Sequence, residues 1–281
     1  MQYEPLEMAE KRVYNGGQTN EGTKNMELTA NFHTHTFRCG HAGGTDREYV
    51  ETAIAAGYKA LGFSDHTPMV FDTDHRSGFR MPLSQAEEYF TTLTDLKKEY
   101  RDDIEIHIGV EAEYYPATHG RFMEFMRQYP CEYMLLGQHF LLREEDGHYA
   151  MNPYRDPAML KAYYKNILDG VKTGDFLYVA HPDLFNFTGK PKEYDRVIRA
   201  FLQEVKALGV PLEINRLGYA DRRIYPNPRF WRLAGEAGVT AVVGVDAHHP
   251  RHLTDTAAIQ GCFRIAEENG LRVRQEFEQW R

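Results

Sequence analysis

The sequence predicts an α/β fold, a barrel of parallel β/α units, and three observations carry that prediction. Short apolar runs alternate with amphipathic helical stretches; the runs number seven from residue 28 onward; and each carries a histidine or carboxylate at or near its end. The runs are LTANFH (28–33), KALGFSDH (59–66), IEIHIGVEAE (104–113), YMLLGQHF (133–140), FLYVAHPD (176–183), VPLEIN (210–215) and TAVVGVDAH (240–248). Such runs have the length of a buried strand, and near-continuous apolar strands suit parallel sheets covered on both faces. The stretches 45–58, 84–100, 157–171 and 192–209 place apolar residues at helical spacing, and Gly57 and Gly209 stand where helices commonly stop.

An open doubly wound sheet is the competing architecture, and it needs a phosphate-binding glycine loop after its first strand. The stretch NFHTHTFRCGHAGG (31–44) matches GxGxxG poorly, and no GxxxxGK[ST] occurs. Closure into a barrel is therefore expected, with residues 28–281 as one domain and 1–27 as a polar, mobile extension. That extension lacks the apolar centre of a signal peptide, and no run of about 18 apolar residues marks a membrane span.

A hydrophobic fraction of 42% and an aromatic fraction of 13% supply a core for one large domain. The net charge of −8 excludes a general nucleic-acid or membrane-surface binder, because no basic field gathers phosphates. Small anionic substrates stay open, since bound cations reverse the field locally. Cys39, Cys131 and Cys262 are odd in number, far apart and form no CxxC pair, which fits a reducing compartment, the cytoplasm.

In β/α barrels the chemistry sits where strands end. His33 and His35, two residues apart on the first strand, point to one face, and His41 lies in the glycine-containing loop beyond. Later strand ends add Asp65 and His66, Glu111 and Glu113, His139, His181 and Asp183, Glu213 and Asn215, and Asp246 and His248. A lone polar residue after a strand usually caps a loop. A ring of them around one mouth calls for divalent metal: the carboxylates would otherwise repel, and buried imidazoles would need other partners. Such a set exceeds one tetrahedral site, so two or three ions are expected, and nitrogen and oxygen donors suit zinc, manganese or iron. Cys39 is expected to pack as a small residue.

The ordered motifs HTHT…CGHA, GFSDH, GVEAEY, GQHF, HPD and GVDAH resemble the PHP superfamily, the polymerase and histidinol phosphatase domains, and within it the histidinol-phosphatase branch. The resemblance covers about residues 28–281. It implies a distorted seven-stranded barrel with its site at the carboxyl ends of the strands, and a cluster usually of three ions. By motif, His33, His35, Glu111 and Asp246 would hold one metal; His41, His66 and His248 a second; His139, His181 and again Glu111 the third. Asp65 would orient an imidazole, while Glu113, Glu213 and Asn215 have no assigned place among the ligands.

The implied activity is metal-assisted hydrolysis of a small phosphomonoester, L-histidinol phosphate in this branch, with another small ester or a nucleotide as the alternative. Glu111 and Asp246 would serve the reacting centre, and Asp183 is a candidate to protonate the leaving oxygen. A module that binds metal without turnover would be expected to have lost some ligands. One segment departs from the branch. After the sixth strand, where the pattern EIN–T–x–G–x–R is expected, the chain reads EINRLGYADRR, with Arg216 for the threonine and Ala220 for the arginine. Arg216, Arg222 or Arg223 would then meet the phosphate, and His75, on the long second loop, could close over the substrate.

Overall fold

Along β3 (Glu105–Ala112) successive side chains alternate between two environments. Ile106, Ile108, Val110 and Ala112 enter the large core between sheet and helices. His107 and Gly109 take the other face, against the ring of Phe32 and that of Tyr133. Glu111 shares that inner face, at the strand's carboxyl end. The computed structural model describes residues 26–277 except 70 and 72, so all but Met26 and Glu27 of the expected extension lie outside the described residues.

All seven expected strands are present: β1 (Ala30–Asn31), β2 (Ala60–His66), β3, β4 (Tyr133–Leu136), β5 (Tyr178–Val179), β6 (Leu212–Asn215) and β7 (Thr240–Gly244). They pair in chain order and in parallel, and an eighth, β8 (Arg272–Val273), adds to β7. Two residues with no apolar run give no pattern signal, which is why seven strands were expected and eight are found. Between them run α1 (Asp46–Ala55), α2 (Ala86–Glu99), α3 (His119–Met126), α4 (Pro157–Val171), α5 (Pro191–Leu208), α6 (Arg216–Ala220), α7 (Pro228–Ala237) and α8 (Thr256–Glu268). Their ends follow local chemistry: Thr45 and Glu48 form a capping box on α1, and Gly209 and Gly238 close α5 and α7 with positive φ.

The sheet curls until its first strand meets its seventh. Thr34, beyond β1, pairs in parallel with Ala247, beyond β7; His35 N donates to Ala247 O at 2.9 Å and Ala247 N to His33 O at 3.1 Å. Asn31, fully buried, stitches the same seam. Its amide donates to His33 O and Thr34 Oγ1, and its Oδ1 accepts from Val245 N at 2.9 Å. Below the site the interior is plugged by Phe32, Tyr133, Tyr178 and Phe277. The Tyr133 hydroxyl donates to Phe32 O and Phe63 O, in space that a side chain at Gly62 would occupy.

Asn31 is the side chain on which the seam's buried polar groups depend. Asn31→Ala leaves the Val245 N–H buried without a partner and should lower stability by about 1–3 kcal/mol. Chemical denaturation measures this, and a loss below about 0.5 kcal/mol would show that the seam closes without it.

Candidate metal centre

Histidines and carboxylates converge above the plug, carried there by the ends of six strands, β1 to β5 and β7. From the β1 side, His33 Nε2 lies 3.2 Å from His35 Nε2, and both lie 3.6 Å from Glu111 Oε2. Asp246 Oδ1, from the β7 side, lies 3.5 Å from His33 Nε2 and 3.1 Å from His35 Nε2. The other oxygen of Glu111, Oε1, faces His181 Nε2 at 2.8 Å and His139 Nε2 at 3.8 Å. Glu111 thus presents one oxygen to each of two groups of imidazoles. Toward the mouth, His248 Nε2 stands 3.0 Å from His41 Nε2, and one nitrogen each of His35, His66 and His248 come together. The groups share members, so the donors form one continuous cluster. Cys39 also falls within reach of His41 and His248.

Small residues make room for this. A Cβ at Gly137 would lie 1.8 Å from Glu111 Oε1, and one at Gly244 would lie 1.7 Å from Glu213 Oε1. His181 and Asp246 adopt φ of 29° and 52°, a left-handed backbone that non-glycine residues keep only where the surroundings hold it.

Behind the cluster, partners fix the imidazoles. Glu213 Oε1 takes His33 Nδ1 at 2.7 Å, Asp65 Oδ1 lies 3.3 Å from His35 Nδ1, and the carbonyls of Cys39 and Asp246 take His41 Nδ1 and His248 Nδ1, each at 3.1 Å. Occupied Nδ1 atoms leave the Nε2 lone pairs turned inward, the tautomer that a metal requires. Glu213 also accepts His181 N at 2.9 Å and the Asn215 amide at 2.8 Å. Sequence reasoning gave Glu213 no place, because its partner His33 sits on a strand far away in the chain.

The electrostatics carry the same signature. Burial pulls the His33 imidazole down, yet Glu213, Asp246 and Glu111 outweigh it and carry the group well above its ordinary value. Burial lowers His35 too, and its hydrogen bonds to Asp246 and Asp65 reverse this. Burial would raise Glu111 and Asp246, but the surrounding imidazoles hold both well below the carboxylate range. Nearer the mouth His248 is pushed down to about 3 by burial and the neighbouring His35 charge. The carboxylates thus favour positive charge at the inner histidines, in the place where cations could supply it. Glu111 Oε2, Asp246 Oδ1 and His66 Nδ1 are buried with no hydrogen-bond partner. The donor set, its turned-in lone pairs and these orphaned atoms all fit divalent metal.

The other expected residues are distributed differently. A cavity of about 600 Å³ opens from the cluster, and of the three arginines Arg223 lines it, beside Asp221 and Tyr225. Arg216 is buried and ion-paired to Asp255. Arg222 is exposed, with φ of 54°. His75 pairs with Glu144 at 3.0 Å, away from the cavity wall. Asp183 also lies behind the wall, where its Oδ2 accepts from Asn227 N at 2.5 Å and Trp231 Nε1 at 3.0 Å, and burial pushes it up to about 7. Phe79, Phe140, Tyr149 and Leu184 form the apolar wall, on loops where no periodicity marks them in the sequence.

The PHP domain family model matches residues 31–217. The chain belongs to the PHP family. Among its PHP relatives, a probable histidinol-phosphatase of Deinococcus radiodurans is 30% identical over 236 residues, covering 78% of this chain and 85% of the relative. A histidinol-phosphatase of Bacillus subtilis is 25% identical over 250 residues, covering 77% and 92%. In structure, this PHP chain superposes with a TM-score of 0.66 on the histidinol phosphate phosphatase of Lactococcus lactis, solved with zinc, L-histidinol and phosphate. That likeness covers 88% of this chain and 95% of the other at 20% identity, and it shows the shared fold. Among the described residues no helix is long and apolar enough to cross a membrane.

Because protons hold the places of cations here, metal binding to the metal-free protein should expel them. His33 and His35, both raised, must give up protons to bind metal, so apparent affinity should climb as pH rises through the neutral range and fall away below about 6. Calorimetric titration with zinc or manganese in buffers of different ionisation enthalpy counts the protons released. Binding with no proton release would contradict this charge balance.

Proposed function

We propose that this PHP protein is a metal-dependent phosphomonoesterase that hydrolyses L-histidinol phosphate to L-histidinol and phosphate, a step of histidine biosynthesis in the cytoplasm. The observation that carries the reading is Glu111, whose two oxygens face two separate groups of imidazoles at the base of a cavity with a guanidinium on its wall. The names of the curated relatives support the substrate.

His33, His35, Glu111 and Asp246 would hold one metal, His41, His66 and His248 another, and His139 and His181 with Glu111 a third. When bound, these two to three divalent ions, zinc, manganese or iron, take up charge on the phosphate oxygens and make water nucleophilic at neutral pH. The chain's own residues do the rest. Arg223 offers a planar fork that fits two phosphate oxygens. At present that fork spans Asp221, at 2.9 Å, and the Tyr225 hydroxyl, at 3.2 Å. Once Arg223 turns to phosphate, Asp221 becomes free to meet the substrate's ammonium group. Phe79, Phe140 and Tyr149 supply an aromatic wall for its imidazole ring. Asp183, engaged by α7, acts here by holding the N-terminus of that helix.

The segment EINRLGYADRR favours keeping a second reading, the same chemistry on another small phosphate ester or a nucleotide. Steady-state kinetics on a panel of phosphomonoesters separates the two. Histidinol phosphate should give the highest kcat/KM, and a different best ester would replace it as substrate.

Two variants test the residues. Glu111→Gln should lower activity by several decades, on the order of 5 kcal/mol in barrier, and near-normal turnover is incompatible with its shared role. Arg223→Ala should reduce kcat/KM by about 100-fold at unchanged metal content. If it does not, the guanidinium takes no part in binding phosphate.

A further inference from the structure

Glu113 stands two residues beyond Glu111 and is 2% exposed. Its Oε1 accepts the backbone N–H of His139 at 2.6 Å and that of Phe140 at 3.2 Å, and lies 3.4 Å from His139 Nδ1. One carboxylate oxygen therefore faces both the backbone and the ring of a single histidine. On its other oxygen Glu113 accepts from the Arg80 guanidinium and the Tyr115 hydroxyl. Arg80 is buried as well, and its Nε donates to Glu144 Oε2 at 2.7 Å.

A charged group this deep needs a reason. Burial favours the neutral carboxyl, and a neutral Glu113 could no longer accept from every donor aimed at it. The Arg80 charge beside it offsets burial and holds Glu113 below its ordinary value, and the guanidinium, the Tyr115 hydroxyl and two backbone N–H groups all donate to it. Among the described residues neither His139 Nδ1 nor His181 Nδ1 has a hydrogen-bond partner, but Glu113 Oε1 stands 3.4 Å from the former. Of the two imidazoles facing Glu111 Oε1, His139 is thus the one with a carboxylate near its Nδ1 among the described residues.

We propose that Glu113, braced by Arg80, is the positioning residue for His139. It fixes the tautomer and direction of that imidazole, and so sets the affinity of the metal position shared by His139, His181 and Glu111. The inference rests on the reading of His139 as a metal ligand. Neither Arg80 nor Glu113 lines the cavity, so their effect passes through His139 and not through substrate.

The test is a metal count on the holoenzyme during stepwise removal with a chelator, for wild type, Glu113→Gln, Arg80→Met and Arg80→Lys, beside the melting of the metal-free proteins. In Glu113→Gln and Arg80→Met one ion should leave at a free-metal concentration about 10- to 100-fold higher than in wild type, with the remaining ions retained as before. Arg80→Lys keeps the charge and should recover much of the difference. Equal retention in all four proteins overturns the proposal, as does parallel loss of every ion with lowered melting of the metal-free chain, which marks a structural role. If Glu113→Gln and Arg80→Met do not fold, Glu144→Gln decides, with Arg80→Lys as the charge-keeping control. Selective weakening of one ion in Glu144→Gln supports the proposal, and its absence there overturns it. Wild type holding one ion or none would instead overturn the metal assignment itself, a result distinguishable from failure of this inference.

Discussion

Charge balance among buried groups is the constraint on which the rest of this molecule depends. Glu111 and Asp246 lie almost out of reach of solvent, where an isolated carboxylate is costly. The imidazoles of His33, His35 and His181 offset that cost, and their own charge depends on the same two carboxylates. Neither set is tolerable without the other or without cations. The glycines at 137 and 244, the left-handed backbone at His181 and Asp246, and the partners behind each ring are all consequences of crowding these groups into one place.

The surroundings divide labour by depth. Aromatic side chains below the cluster exclude water from its base, and Glu213 and Asp65 above them set ring directions. At the mouth, His41 and His248 are the most open members of the set, and the cavity beyond changes from charged to aromatic within a few ångströms. Such a gradient suits a substrate with a phosphate at one end and an apolar ring at the other.

Much of this was legible in the chain because parallel barrels place function at strand ends, and strand ends can be read from apolar runs. His33 and His35 share a face by the two-residue period alone, and Asp65, expected to orient an imidazole, stands beside His35. What could not be read depended on contacts between distant strands or on loop geometry. Glu213 sits on β6 yet serves His33 beside β1. Arg216 follows β6 directly, which suggests the mouth, but the chain turns at once into α6 and the guanidinium swings to Asp255. Arg223, beyond that helix, takes the cavity position instead. β8 left no trace because a two-residue strand needs no hydrophobic pattern of its own.

The seam between the first and seventh strands has a consequence for how the fold behaves as a whole. His33 and His35 belong to one lip of that seam, Asp246 and His248 to the other, and backbone pairing across it is limited to a single bridge and its neighbours. Ions seated between these lips would join the first strand to the seventh as a clasp joins a bracelet. Opening the seam would then empty the centre, and free metal would stabilise the folded chain by mass action.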